Sequence, residues 1–245
     1  MYKYLDNFGY QVYGESTGEM WLSLVEAVLE NGENCLDEGR KRIALPNIRV
    51  KSSIQNIDDL IINKYGNKDN LQAIIDLTFS EEKMTDIDII PSFSPGAKSY
   101  HQRIKEGRMI EFVVKRLSLI PESKKAVMVF PTYEDYEAVL KTPKDDYLPC
   151  IVSIQFRLKK DILQEGFVLD TTFYARSLDI FQKGYGNFIA INMLARKVAK
   201  EIGANLKVNV RQGFLDGLIA DAHIYGELLE DAKSVIQSSR KESRI

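Results

Sequence analysis

The sequence predicts an α/β (α+β) fold in which helices pack against a mixed or mostly antiparallel sheet. Three observations support this class. Apolar residues recur at helical spacing near the start of the chain and again over residues 187–202. Residues 152–158 alternate between apolar and polar side chains, as half-buried strands do. No repeat or linker-like segment divides the 245 residues, so we expect a single domain with one large core over residues 1–245.

Composition narrows the classes of function. The 44% hydrophobic and 28% charged content is typical of a globular protein, and a net charge of −2 lacks the basic excess of a general nucleic-acid binder. The two cysteines, Cys35 and Cys150, have no disulfide framework around them, which favours a reduced, cytoplasmic protein. No run approaches the roughly 18 apolar residues of a membrane span, and the histidines and cysteines are not spaced for zinc. We therefore expect no nucleic-acid partner, no membrane partner and no metal.

The first part of the chain predicts a helix followed by a basic loop. The segment Ser16-Thr17-Gly18-Glu19 has the form of a capping box, and the helix that follows places Trp21 on its apolar face and ends at Gly32. Cys35 follows in a polar turn, with no side chain near it in sequence that would activate the thiol. Residues 40–42 form a basic loop, which is either solvated charge or a mobile loop that closes over an anion.

The middle of the chain predicts short elements. Two lysines, Lys124 and Lys125, precede one predicted strand and are either its solvated start or half of a phosphate clamp. We expect the segment over residues 132–146 to be a connection. The other predicted segments are a strand interrupted by Pro46 (43–51), helices (56–64, 71–77 and 108–120), an irregular stretch containing Pro91 and Pro95 (81–98), and the strand after the lysines (126–130).

The second half of the chain predicts most of the sheet. A hairpin joins the alternating strand to a second strand at residues 167–175, and a helix over residues 187–202 ends at Gly203. Two extended segments, 206–211 and 217–225, precede a last amphipathic helix. The charged residues 238–245 are expected to form a flexible tail.

Several residues in this half have the chemistry of a nucleotide site. A cysteine reacts as thiolate, and a nearby positive charge lowers its pKa. Arg176 on a neighbouring strand can supply that charge to Cys150 and can also bind a phosphate bidentately, and Ser177 can add a hydroxyl. The alternatives are a buried cysteine and a salt bridge at the edge of a strand.

Three further side chains can recognise a base and a sugar. Asn187 carries a donor and an acceptor, so it can read a base edge on which these groups alternate. His223 and Tyr225 lie two residues apart on a predicted strand, face the same side and can together hold a sugar hydroxyl. The alternatives are a helix-capping asparagine and a core histidine.

As an ordered set these segments resemble the thymidylate synthase family, which includes the pyrimidine nucleotide hydroxymethylases. The set comprises Leu-Pro-Cys before a strand containing Gln155, then Arg-Ser-x-Asp-x-Phe, an asparagine eleven positions after the arginine, and Asp-x-His-x-Tyr. Pro-x-Ser-Lys-Lys stands where the family has Pro-x-Ser-Arg-Arg. The resemblance covers residues 121–225, whereas residues 1–120 are divergent.

The resemblance implies a thymidylate synthase-like fold, a mixed sheet flanked by helices, with one sheet face used to form a homodimer. It implies that Cys150 adds to C6 of a pyrimidine nucleoside monophosphate, so that C5 attacks the one-carbon unit of 5,10-methylenetetrahydrofolate. It also implies the roles of the binding residues. These are the phosphate ligands Arg176 and Ser177 with Lys124 and Lys125 of the partner subunit, the base ligands Asp179 (through its backbone) and Asn187, and the sugar ligands His223 and Tyr225.

The sequence also departs from the family. Lysines lack the planar fork of the two arginines that they replace. Asp59, seven residues before Gly66, is the best counterpart of the family's catalytic glutamate. Arg40 in the basic loop stands in for the family's arginine loop over the phosphate. The tryptophans beside the folate have no counterpart, because Trp21 comes too early in the chain, and other departures are Ile151 for a histidine and Lys183 for a glycine.

The function expected first is folate-dependent methylation of dUMP to dTMP. An alternative is a 5-hydroxymethylase acting on dUMP, dCMP or a ribonucleotide, in which water captures the one-carbon unit. Asn187 favours uracil over cytosine. A third reading is a homologue that binds nucleotides without turning them over, against which the retained thiol argues, because binding alone does not need it.

Overall fold

A computed structural model describes residues 2–5, 9–85, 87, 97–141 and 147–242. Nine strands of this described chain form one mixed sheet in the order β1-β2-β4-β9-β7-β6-β5, with β3 paired to β4 and β8 paired to β9. The pairs β2–β4, β7–β9 and β8–β9 are parallel, and the other pairs are antiparallel. The predicted class, a mixed sheet flanked by helices, is confirmed.

The elements have the following bounds. The strands are β1 (Tyr2–Leu5), β2 (Gly9–Gly14), β3 (Glu33–Asp37), β4 (Arg40–Ser52), β5 (Val127–Val129), β6 (Ile151–Lys160), β7 (Phe167–Ala175), β8 (Leu178–Asp179) and β9 (Val210–Tyr225). The helices are α1 (Thr17–Asn31), α2 (Leu60–Tyr65), α3 (Lys68–Phe79), α4 (Tyr100–Glu106), α5 (Met109–Leu119), α6 (Tyr133–Lys141), α7 (Tyr185–Leu206) and α8 (Leu229–Glu242). A π-helical turn (Ile180–Gly184) precedes α7, and a 3₁₀ turn (Gly226–Leu228) precedes α8.

Helix α1 begins at the predicted capping box. The Ser16 hydroxyl accepts from the Glu19 N–H (3.2 Å), and the Glu19 carboxylate accepts from the Glu15 N–H (2.9 Å). Trp21 is fully buried, and its indole N–H donates to the Ile180 carbonyl (2.8 Å). Trp21 therefore belongs to the core, as predicted, and joins α1 to the turn that leads into α7.

The core lies between the sheet and the long helix α7. The helical spacing of apolar residues predicted this helix, and its fully buried side chains include Phe188 and Val198. Facing them from the sheet are Phe156, Leu169 and Ile219, also buried. This packing fixes α7 against β7 and β9, so that the first turn of α7 and the ends of both strands meet at one edge of the sheet.

Several sequence predictions need correction. Residues 133–141, expected in a connection, form α6. Cys35 lies in strand β3 rather than in a turn. The two extended segments after α7 become one strand, β9, and the helix itself continues to Leu206.

The C-terminal prediction fails in part. Residues 238–242 continue α8, where Arg240 forms ion pairs with Glu26 and Glu30 that hold the helix to α1. Residues 243–245, and most of the stretch predicted to be irregular (81–98), lie outside the described residues. Among the helices that are described, none is both long and apolar enough to cross a membrane.

Candidate active site

A cleft of about 1730 Å³ opens at the edge of the sheet where the β3–β4 hairpin meets the ends of β7 and β9. It brings together most of the residues that the sequence singled out. These lining residues are Arg40, Cys150, Arg176, Ser177, Asp179, Asn187, His223 and Tyr225. Asp59, Lys124 and Lys125 are not among the residues that line it.

Cys150 stands in a short segment that Arg176 anchors. The Arg176 N–H donates to the Cys150 carbonyl (2.9 Å), and its guanidinium donates to the carbonyls of Pro149 (Nε, 3.2 Å) and Leu148 (Nη2, 2.6 Å). The thiol is half-buried and lines the cleft. Arg176 therefore fixes the segment that carries the thiol and places a positive charge beside it.

Two tyrosine hydroxyls lie beside this segment and were not predicted. The Tyr100 hydroxyl accepts from the Ile151 N–H (2.9 Å) and is hydrogen-bonded to the hydroxyl of Tyr147. Burial raises the pKa of both phenols, so both stay protonated at neutral pH. Tyr100 donates its single proton to Tyr147, so of these two hydroxyls it is Tyr147 that can still donate to a further group. The only sequence signal was the place of Tyr147 three residues before Cys150.

His223 is held by an ion pair that spans two strands. Arg42 on β4 binds both carboxylate oxygens of Asp221 on β9, with Nη2 3.0 Å from Oδ2. Asp221 Oδ1 lies 3.0 Å from Nδ1 of His223, whose ring is 5% exposed, and the Ser177 hydroxyl lies 3.4 Å from the same nitrogen. The carboxylate keeps a proton on Nδ1, so Nε2 is the ring atom left for a ligand.

Hydrogen bonds with His223 and Arg42 keep Asp221 ionised. Burial alone would raise the pKa of this carboxyl group, but hydrogen bonds with His223 and Arg42 outweigh burial and lower the pKa to about 2. The group is therefore ionised at neutral pH, and its effect on His223 does not change near neutrality.

The amide of Asn187 has a fixed orientation. Asn187 lies in the first turn of α7, and its Nδ2 donates to the carbonyl of Lys183 one turn earlier (2.9 Å). That bond assigns the nitrogen and oxygen ends of the amide, so Oδ1 and the second N–H are left for a ligand. Asp179, at 5% exposure, caps the π-helical turn by accepting from the N–H groups of Phe181 and Gln182. The carboxylate of Asp179 therefore stabilises the turn. The role near the base that the sequence resemblance implies for Asp179 is left to its backbone.

The remaining predicted cations differ in position. Arg40 lines the cleft, where its guanidinium stacks on Tyr225 and forms an ion pair with Glu227 (3.2 Å). Lys124 and Lys125 are exposed just before β5, at the sheet edge, and do not line the cleft of their own chain. They can contribute to a phosphate site only in another chain.

Asp59 has a structural role, so its assignment as a catalytic acid is not supported. It is 2% exposed, does not line the cleft, and caps α2 by accepting from the N–H groups of Ile61 (2.9 Å) and Ile62 (3.2 Å). Its second oxygen accepts from the Gly18 N–H (2.8 Å). A Cβ at residue 18 would lie 2.2 Å from Asp59 Oδ1, so this contact requires glycine there. Asp59 was chosen for its spacing to Gly66 in the sequence, and the residue at that spacing caps a helix.

We expect Asp59→Ala to lower stability rather than catalysis. Loss of a carboxylate that caps a helix and satisfies buried N–H groups should lower the free energy of unfolding by about 1–3 kcal/mol. Urea denaturation will measure this, and kcat measured well below the transition should stay close to the wild-type value. Asp58→Ala, which removes the exposed neighbouring carboxylate, is the matched control. A loss of kcat in a folded Asp59→Ala variant would restore the catalytic assignment.

The cleft has room for a second ligand beside a nucleotide. Pockets for single drug-sized ligands measure roughly 300–1,000 Å³, and this cleft is larger. One wall is aliphatic, formed by Ile74, Leu77 and Met84, and can pack against a flat ring. Their chemistry is compatible with the flat ring of a folate, the cofactor that the sequence resemblance implies. Among the described residues, no group of three or more histidine, cysteine or acidic side chains is placed to hold a metal ion.

Known proteins are similar to this chain in sequence. The family model described as thymidylate synthase matches residues 82–244, well over half of the chain. A protein of Methanothermobacter marburgensis, described as "Putative thymidylate synthase", is 24% identical over 94% of this chain and 99% of its own length. A protein of Methanothermobacter thermautotrophicus with the same description is 23% identical over 93% and 99%. The chain belongs to the thymidylate synthase family.

Proposed function

We propose that this protein methylates C5 of dUMP to give dTMP, with 5,10-methylenetetrahydrofolate as cofactor and through a covalent bond between Cys150 and C6. The observation that supports this most is the grouping of Cys150, Arg176 and Asn187 with the pair His223 and Tyr225 on one cleft. Such a reaction needs a nucleophilic thiol and side chains that bind the phosphate, the base and the sugar.

The thiol initiates the proposed reaction. The Cys150 sulfur bonds to C6, the π electrons of the C5–C6 bond move toward C5 and O4, and C5 becomes nucleophilic. A hydrogen bond from Asn187 Nδ2 to O4 stabilises the charge that develops there. When bound, the folate supplies the one-carbon unit and, for a methyl product, the reducing hydride. Loss of the C5 proton and departure of the sulfur restore the double bond, with the neutral Tyr147 hydroxyl as a hydrogen-bond donor beside the departing thiolate.

The fixed amide of Asn187 supports uracil as the base. Its Oδ1 can accept from the N3 hydrogen of uracil while its free N–H donates to O4, whereas neutral cytosine offers the reverse pattern. The bond to Lys183 opposes the amide flip that would accommodate cytosine. We expect wild-type protein to prefer dUMP over dCMP by roughly ten- to a hundredfold in kcat/KM, since each unmatched buried group costs about 1–3 kcal/mol. Asn187→Asp should shift this preference toward dCMP, and a variant that keeps the wild-type ratio would contradict the role of Asn187.

The exposed face of the sheet supports a homodimer. Tyr13, Tyr174 and Leu218, from three different strands, are between 37% and 43% exposed on it. We further propose that Lys124 and Lys125 of the partner subunit bind the phosphate together with Arg176 and Ser177, because both lysines are exposed and do not line the cleft of their own chain. We propose a cytoplasmic location because Cys150 must stay reduced to react and Cys35, also free, lines the same cleft.

A second candidate function is 5-hydroxymethylation of dUMP. The position of Trp21 in the core, away from the cleft, favours it, because less aromatic surface covers the reacting carbon and water can enter. Product analysis after incubation with dUMP and methylenetetrahydrofolate distinguishes the two functions. The methylase forms dTMP and an equal amount of dihydrofolate. Formation of 5-hydroxymethyl-dUMP without dihydrofolate establishes the hydroxymethylase, and no turnover of dUMP or dCMP favours a nucleotide-binding homologue.

A further inference from the structure

The hydroxyl of Tyr225 forms a hydrogen bond with a residue on another strand. It donates to Oδ2 of Asp37 (2.9 Å), the last residue of β3. On the same hairpin, Arg40 places its guanidinium carbon 3.4 Å from the centroid of the Tyr225 ring and binds Glu227 through Nε (3.2 Å). The hairpin therefore fixes both the position of the ring and the direction of its hydroxyl.

This arrangement limits the Tyr225 hydroxyl to one kind of hydrogen bond with a ligand. A tyrosine hydroxyl has a single proton, and here Asp37 accepts it. Burial, followed by the hydrogen bond to Asp37, raises the pKa of Tyr225, so the hydroxyl keeps its proton at neutral pH. The oxygen can consequently act toward a ligand only as an acceptor. A ligand group at this position must donate.

We propose that Asp37 is a specificity-determining residue of the sugar subsite, because it turns Tyr225 into an obligatory acceptor and so selects nucleotides with a free 3′-hydroxyl. This inference rests on the proposed function, in which Tyr225 and His223 bind the sugar. A nucleotide that lacks the 3′-hydroxyl proton leaves the Tyr225 oxygen unmatched. A 3′-phosphate also meets the negative charges of Asp37 and Asp221, both of which line the cleft.

Asp37→Leu tests the direction of the hydrogen bond with little change in shape. Leucine branches at the same carbon but has no acceptor, which releases the Tyr225 proton to donate outward. The probes are dUMP and 3′-deoxy-3′-fluoro-dUMP, whose fluorine is close in size to a hydroxyl but has no proton to donate. Calorimetric dissociation constants with the nucleotide alone avoid any dependence on turnover.

We expect wild-type protein to bind dUMP roughly ten- to a hundredfold more tightly than the fluoro analogue. In Asp37→Leu this ratio should fall to about threefold or less, mainly through weaker binding of dUMP. Glu38→Gln, which removes the exposed carboxylate next to Asp37, should keep the wild-type ratio. Tyr225→Phe should also lose the ratio, and adding Asp37→Leu to it should change nothing further, because Asp37 acts through the phenol.

The outcomes separate this inference from the proposed function. A wild-type preference for dUMP that persists in Asp37→Leu overturns the role of Asp37 and leaves nucleotide binding intact. Equal wild-type affinities for both nucleotides also overturn it, again without affecting the proposed substrate. If wild-type protein binds neither nucleotide, the proposed function fails and the inference fails with it.

Discussion

Replacing Cys150 by serine will abolish turnover of dUMP. A serine hydroxyl is not ionised near neutral pH, whereas a thiol beside Arg176 can react as thiolate, so the covalent step loses its nucleophile. We expect kcat to fall by about 10³-fold or more, as it does when other enzymes lose a nucleophile. Steady-state kinetics with methylenetetrahydrofolate will measure the loss, and nucleotide affinity should fall much less because the contacts to phosphate, base and sugar remain.

Cys35→Ser is the matched control for this variant. Cys35 lines the same cleft from strand β3, so both variants remove one thiol from one cavity. We expect Cys35→Ser to retain activity close to that of the wild type. Substantial activity in Cys150→Ser, or its loss in Cys35→Ser, would move the nucleophile to the other thiol.

Replacing Arg176 by alanine will have an effect of comparable size for two reasons. The change leaves the carbonyls of Leu148 and Pro149 without their guanidinium donors and removes a cation from the proposed phosphate site. With each charged hydrogen bond worth about 1.5–3 kcal/mol, we expect kcat/KM to fall by about 10²- to 10⁴-fold. Arg176→Lys should recover little of this, because a lysine cannot reach two carbonyls and a phosphate with one planar fork.

The same variant tests whether the phosphate site is shared between two chains. Inactive Arg176→Ala subunits are mixed with inactive subunits that carry both Lys124→Ala and Lys125→Ala, under conditions in which subunits exchange. Each heterodimer then has one cleft without a mutation, and random pairing restores roughly a quarter of all sites. Absence of any recovered activity in verified heterodimers would contradict the shared site.

The parts of the fold that depend on regular periodicity could be predicted from sequence. Helices α1 and α7 and the hairpin of β6 and β7 follow from the spacing of their apolar residues. Strand β9 was predicted as two segments, with Gly213 in the gap between them and Gly217 at the start of the second. Its glycines are sites of close packing instead: a Cβ at Gly213 would lie 2.1 Å from Asp170 Oδ1, and one at Gly217 would lie 2.1 Å from Phe173. Such contacts form between neighbouring strands, so the sequence of one strand alone does not reveal them.

The residues of the candidate site could be predicted where they lie in short sequence motifs. Cys150, Arg176, Asn187, His223 and Tyr225 meet at one cleft, as their order suggested. The residues that support them come from distant parts of the chain and were not predicted in these roles. Arg42 pairs with Asp221 179 positions away, and Asp37 accepts from Tyr225 188 positions away.

One measurement tests the central claim most directly. The protein is incubated with 5-fluoro-dUMP and methylenetetrahydrofolate, and the modified peptide is identified by mass spectrometry. Because fluorine replaces the C5 proton that must leave, the bond between sulfur and C6 should persist. The account predicts a mass increase of nucleotide plus folate on the peptide that contains Cys150, absent in Cys150→Ser and retained in Cys35→Ser. An adduct on Cys35, or no adduct under conditions in which wild-type protein turns over dUMP, would contradict it.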